Sequence, residues 1–216
     1  MERERIRDFI ASMRTKKDED VLETIRREAE RDRVPIIRRD TQDLLKILLK
    51  IRKPERILEV GTAIGFSSVF MAVTAGPDAR IDTIENYPPR IERAGINIAQ
   101  AGLSEQITLI PGDAGEILPG LKEGYDLIFM DAAKAQYIHF LPEVRRLLCP
   151  GGMLVSDNVL QDGDIFESRY AIRRRNHTIH HRMRQYLYEL THDPVFDTVI
   201  LECGDGLAVS VKSDNS

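Results

Sequence analysis

Three oxygen-bearing side chains stand where two apolar runs of this chain end. Tyr125-Asp126-Leu127-Ile128-Phe129-Met130 leads into Asp131 and on to Ala132-Ala133-Lys134, and Gly152-Met153-Leu154-Val155-Ser156 leads into Asp157-Asn158. Apolar runs of this length, separated by one helix-length segment, read as neighbouring buried strands of a parallel α/β sheet, and ligands gather at the carboxyl ends of such strands. Asp131, Asp157 and Asn158 then converge as an all-oxygen set without His or Cys. That set suits a hard divalent cation, Mg²⁺, and carboxylate and amide oxygens suit Mn²⁺ as well. The plainer reading of Asp157-Asn158 is an Asx turn capping the next element, and the plainer reading of Lys134 is a surface lysine.

The elements that must hold these residues alternate from Arg56 onward. Strands are expected at Arg56–Val60, Arg80–Glu85, Ile107–Pro111, Tyr125–Asp131 and Met153–Asp157, with helices between them as βαβ units require. Asp197–Glu202 and Leu207–Lys212 flank the tight turn Cys203-Gly204-Asp205-Gly206 and read as an antiparallel hairpin added to the parallel sheet. The expected fold is therefore a Rossmann-like α/β domain with a seven-stranded mixed sheet, spanning 1–216, with its α/β core over 55–212. Residues 1–50 read as a helical cap. Ile6, Phe9, Ile10 and Met13 share one helical face, as do Val21, Leu22, Ile25 and Ala29. Pro35 breaks the pattern, and Asp40 is expected to cap a third helix carrying Leu44, Leu45 and Leu48. This cap reads as a solvated or dimer-forming surface. Phe166–His192 reads as one long amphipathic helix buried through Met183, Tyr186, Leu187 and Leu190.

The first strand runs into Glu59-Val60-Gly61-Thr62-Ala63-Ile64-Gly65-Phe66-Ser67, a glycine-punctuated strand-to-helix turn that lets a ligand approach the backbone closely. The second strand ends at Glu85, where a carboxylate can accept both hydroxyls of a ribose, and the third at Gly112-Asp113-Ala114, placed to meet an adenine ring. Singly, the loop is also a structural turn and Glu85 also a surface charge; at successive strand ends, in order, they point to a nucleoside cofactor. Ala63 occupies the second glycine of a dinucleotide fingerprint, and no phosphate-binding G-x-x-x-x-G-K-[ST] loop is present.

Glu59-x-Gly61-x-x-x-Gly65 resembles motif I of class I S-adenosylmethionine-dependent methyltransferases, and the terminal hairpin is typical of that fold. Asp131-Ala132-Ala133-Lys134 with Asp157-Asn158 is similar to the cation-dependent O-methyltransferases, which include catechol and caffeoyl-CoA O-methyltransferases. Within that family, Val34-Pro35-Ile36, Asp131–Tyr137, Ser156–Leu160 and Gly204–Ala208 look most like bacterial tRNA 5-hydroxyuridine methyltransferases, which make 5-methoxyuridine at the wobble position. The resemblance implies S-adenosylmethionine held by Ile37, Glu59, Gly61, Ser67, Glu85, Asp113, Ala114 and Asp131, with Mg²⁺ on Asp131, Asp157 and Asn158. It also implies that Asp131 and Lys134 act in catalysis, Lys134 taking or stabilising the charge of the released proton, and that the protein is a homodimer. The tRNA substrate rests on resemblance, and a catechol or hydroxycinnamoyl substrate fits the same residues. A non-catalytic nucleotide- or RNA-binding module and a nicotinamide dehydrogenase stand behind these readings.

Composition bounds the partners. A net charge of −4 gives no global attraction to nucleic acid, so RNA binding would need a local patch. The candidates are Arg38 and Arg39 with Lys50, Arg52 and Lys53, and the group Arg169, Arg173, Arg174, Arg175, Arg182 and Arg184, where Tyr170, Tyr186 or Tyr188 could stack on a base; the plainer reading is a solvated helix face. Cys149 and Cys203 have no metal-type spacing and read as reduced thiols of a cytoplasmic protein. The amino terminus lacks the apolar stretch of a signal peptide, and no run is long enough to cross a bilayer.

Overall fold

The computed structural model describes residues 2–14, 20–168 and 170–214. Three helices come first, α1 (Glu2–Ser12), α2 (Asp20–Asp32) and α3 (Arg39–Arg52). Then follow β1 (Arg56–Val60), α4 (Phe66–Ala75), β2 (Arg80–Glu85), α5 (Pro88–Gln100), β3 (Ile107–Pro111), the short α6 (Ala114–Ile117) and β4 (Tyr125–Met130). The chain ends with α7 (Tyr137–Leu147), β5 (Leu148–Asp157), α8 (His177–His192), β6 (Phe196–Leu201) and β7 (Leu207–Lys212). Among the described residues no helix is long and apolar enough to cross a membrane.

The strands form one seven-stranded sheet in the order β3-β2-β1-β4-β5-β7-β6. β1 to β5 pair in parallel, and β7 runs antiparallel to both β5 and β6. The chain turns from β1 to β2 on one side and returns to β4 on the other, which opens a crevice between β1 and β4 at their carboxyl ends. The central strands alternate between two cores, as a sheet covered on both faces requires. Ile57, Leu127, Phe129 and Val155 pack under α2, α3 and α4, while Leu58, Ile128, Met130 and Leu154 pack under α7 and α8.

Register fixes which ends coincide. Val60 pairs with Met130, and Met130 with Ser156, so the residues that follow, Gly61, Asp131 and Asp157, sit side by side on one edge of the sheet. β7 begins on that same edge because it is antiparallel, with Leu207 opposite Asp157. Its leading turn therefore belongs to the site.

Two local expectations are corrected. Asp40 is not the cap of α3: that position is Arg38, which makes no capping side-chain bond. Asp40 instead accepts the Gly204 N–H at 2.8 Å. The segment Phe166–His192 is helical only from His177. Before it, Phe166 and Tyr170 are 68% and 96% exposed while Ile172 is buried, and short 3₁₀ turns replace the helix. α1 forms, but Ile6, Phe9, Ile10 and Met13 are all more than half exposed, whereas the corresponding α2 residues Leu22, Ile25 and Ala29 are buried. The position of Arg169 lies outside the described residues.

At Gly61 (φ +107°) a Cβ would run into the carbonyl of Asp131. Gly61→Ala is expected to cost at least about 3 kcal/mol, from positive-φ strain and overpacking together, read as a lowered midpoint in urea unfolding.

Candidate functional site

The crevice is a cavity of about 590 Å³ bounded by the Gly61 loop, the ends of β2 and β3, the Asp131–Gln136 segment, Asn158 and the linker from Pro35 to Arg38. One half of it is built on Glu85. That carboxylate is buried at the end of β2 and accepts three backbone N–H groups, from Ala63 at 2.9 Å, Tyr87 at 3.0 Å and Asn86 at 3.1 Å. It is thereby a rigid acceptor aimed at the cavity. Asp113 caps α6 by accepting the Gly115 N–H at 2.8 Å and, with Ala114, lines the rim.

Glu59 and Ser67 do not line this cavity. Glu59 is fully buried beneath the glycine loop, where its Oε2 accepts the hydroxyls of Ser68 and Thr83. Thr83 also meets Thr62 of the loop at 2.6 Å. Burial pushes the Glu59 carboxyl up to about 7, the hydroxyls beside it pull the other way, and the charge of Asp131 raises it further. Glu59 thus supports the loop from below. Nothing in its spacing from Gly61 distinguishes a supporting glutamate from one that faces a ligand.

Opposite lies the acidic half. Asp131 stands at the cavity wall with its N–H bonded to Val60 O at 3.0 Å. Asp157 is 1% exposed, and the Asn158 N–H donates to its Oδ1 at 2.8 Å. Asn158 itself takes a left-handed conformation (φ +59°) and lines the cavity. The local Asx geometry and the convergence with Asp131 therefore coexist. Burial raises Asp131 to about 6, against the nearby charges of Lys134 and Arg90. Burial and then the Asp131 charge raise Asp157 to about 7. Two carboxylates that resist joint ionisation fit a divalent cation, and the donors are hard oxygens. Among the described residues no three His, Cys, Asp or Glu side chains cluster as a metal site, so the fit rests on two carboxylates and an amide.

Two residues not singled out from the sequence complete this half. Asp205, 6% exposed in the turn before β7, lines the cavity and pairs with Lys134 Nζ at 3.6 Å. Its turn is tied down on both sides: Gly204 bonds Asp40 and the Arg38 guanidinium, and the carbonyls of Asp205 and Gly206 accept the N–H groups of Leu160 and Val159. The antiparallel direction of the last strand was the available signal, since it forces that turn onto the carboxyl edge. The second residue is Tyr137, wholly buried, whose hydroxyl lies 3.0 Å from the carbonyls of both Met130 and Asp157 and clamps the two strand ends together.

A family model described as O-methyltransferase matches residues 12–213. The chain belongs to the O-methyltransferase family. It is 38% identical over 111 residues to a catechol O-methyltransferase of Mycobacterium tuberculosis, covering 51% of this chain and 50% of that one. It is 37% identical over 127 residues to a catechol O-methyltransferase of Niastella koreensis, covering 57% and 58%. The matched part thus spans little more than half the length of these two relatives. Among solved structures, a Staphylococcus aureus protein provisionally named caffeoyl-CoA O-methyltransferase superposes with a TM-score of 0.85 at 33% identity, covering 97% of this chain and 98% of that one. The Streptomyces achromogenes O-methyltransferase TomG, in complex with S-adenosylmethionine, gives 0.84 at 25% identity and 99% coverage of both chains.

In this member of the O-methyltransferase family the remaining predicted residues divide. Ile37 and Arg38 line the cavity, and Gly61 forms its loop. Arg39 does not line it and pairs with Glu23 at 3.8 Å. Arg173, Arg174 and Arg175 are exposed on the turn before α8, away from the cavity wall. Arg52 pairs with Asp126 at 3.5 Å, at the opposite, amino edge of the sheet.

Asp131, Asp157 and Glu59 all bind protons more tightly when folded than an ordinary carboxyl does. Their stabilisation is present below the unfolded pKa near 4 and is lost as pH rises through about 6 to 7. The chelator-treated protein is therefore expected to lose stability, on the order of 3 kcal/mol, between about pH 5 and pH 8. Asp157→Asn should flatten that slope, as followed by thermal melting across the range.

Proposed function

We propose that this protein is an S-adenosylmethionine- and divalent-cation-dependent O-methyltransferase that acts on a small molecule carrying two adjacent oxygens, of the catechol class. The observation that carries the reading is the meeting of Asp131, Asp157 and Asn158 at register-paired strand ends, inside the same cavity as the Gly61 loop and Glu85. The names of the two catechol O-methyltransferases and the cofactor complex of TomG support it from outside.

Asp131, Asp157 and Asn158 would hold the cation, and Glu85, Asp113 and the Gly61 loop the nucleoside of the cofactor. When bound, the cation lowers the pKa of a coordinated hydroxyl, and the cofactor supplies an electrophilic methyl group. The chain's own residues do the rest. Lys134, oriented by Asp205, sets a positive charge beside the reacting oxygen and stabilises the oxyanion. Tyr137 keeps the ends of β4 and β5 from separating. The Pro35–Arg38 linker closes the cavity from the helical side and limits water.

A second reading is methylation of 5-hydroxyuridine in tRNA, whose 5-hydroxyl and 4-oxo groups are also adjacent oxygens. One observation favours it. Among the described residues that line the cavity only Phe140 is aromatic, and it packs near Gly115 on the Asp113 side. The opposite wall offers Arg38, Gln136, Asn158 and Asp205 to a polar ring rather than an aromatic clamp to a phenol.

Assays of the purified protein with cofactor and Mg²⁺ against catechol, caffeoyl-CoA and hydroxylated tRNA test both readings. Methylation of catechol or caffeoyl-CoA is expected; methylation of the tRNA alone would replace the first reading with the second. Asp131→Ala should abolish turnover, and Lys134→Met should lower kcat by roughly 10²- to 10⁴-fold with little change in KM.

A further inference from the structure

One arginine of α8 turns inward. Met183, Tyr186 and Leu190 are wholly buried and seat the helix against the core beneath β4 and β5. The Tyr186 hydroxyl lies 2.6 Å from the Oγ of Ser156, the residue before Asp157, and its ring meets the Tyr137 ring edge to face at 5.5 Å. Arg182 is one turn earlier on that same face. Its half-buried guanidinium is thereby carried to the Lys134 turn, where it donates to the Ala135 carbonyl at 3.2 Å. A hydrogen bond from a charged donor is stronger than a neutral one. Arg173, Arg174 and Arg175 stay exposed to solvent, whereas Arg182 is directed at the protein's own backbone.

The turn that Arg182 holds has little else to hold it. Before it, the Asp131 N–H is anchored on the Val60 carbonyl at 3.0 Å, and after it α7 begins at Tyr137. Between these anchors lies the 3₁₀ turn Lys134–Gln136, which has no capping side chain. One internal bond closes it, from the Gln136 N–H to the Ala133 carbonyl at 2.8 Å. Among the described residues Arg182 is the only side chain that bonds the backbone of this turn. Lys134, next to the held carbonyl, lines the cavity and pairs with Asp205. A lysine's four-carbon stem is flexible, so its ammonium is well placed only if its backbone is fixed. Arg182 from behind and Asp205 in front restrain the two ends of that one side chain.

We propose that Arg182 is a positioning residue for Lys134, an inference that rests on the role given to Lys134 above. Arg182 does not line the cavity and touches no reacting atom. By holding Ala135 it fixes the backbone from which Lys134 reaches the oxyanion, so the positive charge stands in place before the reaction begins. Tyr186 ties the same helix to the end of β5, so Lys134 and Asp157 take their spacing from one rigid element. A displacement of about 1 Å at such a group lowers a rate by up to about 10²-fold.

The test joins a kinetic cycle to a probe of the turn itself. Arg182→Met is expected to lower kcat roughly 10-fold at unchanged KM for the acceptor. In a Lys134→Met background the same change should alter kcat by less than about 2-fold, because a residue that acts through Lys134 has nothing left to position. Losses that multiply, or a raised KM at unchanged kcat, overturn the proposal. Whatever the acceptor, hydrogen exchange over residues 134–137 and acetylation of Lys134, both read by mass spectrometry, should speed up in Arg182→Met. They should fall back part-way in Arg182→Lys, which still donates to a carbonyl. Both should stay at wild-type rates in Arg184→Met, whose guanidinium bonds the Ile165 carbonyl at 3.0 Å instead. Wild-type rates in Arg182→Met, or an equal rise in Arg184→Met, overturn the proposal. A Lys134→Met protein with wild-type kcat overturns the role of Lys134 itself, a failure told apart by exchange and acetylation that still respond to Arg182.

Discussion

The structure depends on one close approach, that of the Gly61 backbone to the carbonyl of Asp131. It occurs where β1 and β4 diverge, and it brings the glycine loop and an acidic strand end to the same point. A side chain at Gly61 would separate them and widen the crevice at its floor. The remaining contacts of the site maintain that approach. Glu59, Ser68, Thr83 and Thr62 brace the loop from below, and Tyr137 braces the strand ends from the other face of the sheet.

These braces are polar groups inside a dry core, which makes them stiff and costly to disturb. A buried acceptor that loses its donor costs about 1–3 kcal/mol. Each group here also ties elements far apart in sequence, so a single loss would loosen two walls of the cavity at once. The same burial raises Asp131 and Asp157, so the site is comfortable when protonated and held in tension when both carboxylates ionise. A cation held there would relieve that tension and would link the occupancy of the site to the stability of the fold.

Much of this was legible in the residues. The alternation of apolar runs with helix-length segments marked all seven strands, since a period of two and a run bounded by turns are local properties. Asp131, Asp157 and Glu85 were legible because each is the first carboxylate after a buried run. Legibility failed where a residue acts through a distant partner. Asp40 has the type and place of a helix cap, yet its partner is Gly204, far along the chain. Glu59 sits in a ligand-binding motif, yet packing turns its side chain away from the cavity. The segment before α8 has enough polar residues for a solvated helix, but among its described residues from Phe166 to Asn176 it buries Ile172 alone, which does not repay forming one.

The sequence by itself determined the strand ends, the glycine turn between them and the oxygen chemistry of the site, because propensity, periodicity and residue type act over a few neighbours. Only the tertiary structure decided that Asp205 faces Lys134 and that Glu59 supports rather than lines. Those outcomes follow from register and strand direction, which are properties of pairs of elements and not of either element alone. A one-residue change of register would have sent Asp131 and Asp157 to opposite faces of the sheet without altering any local pattern.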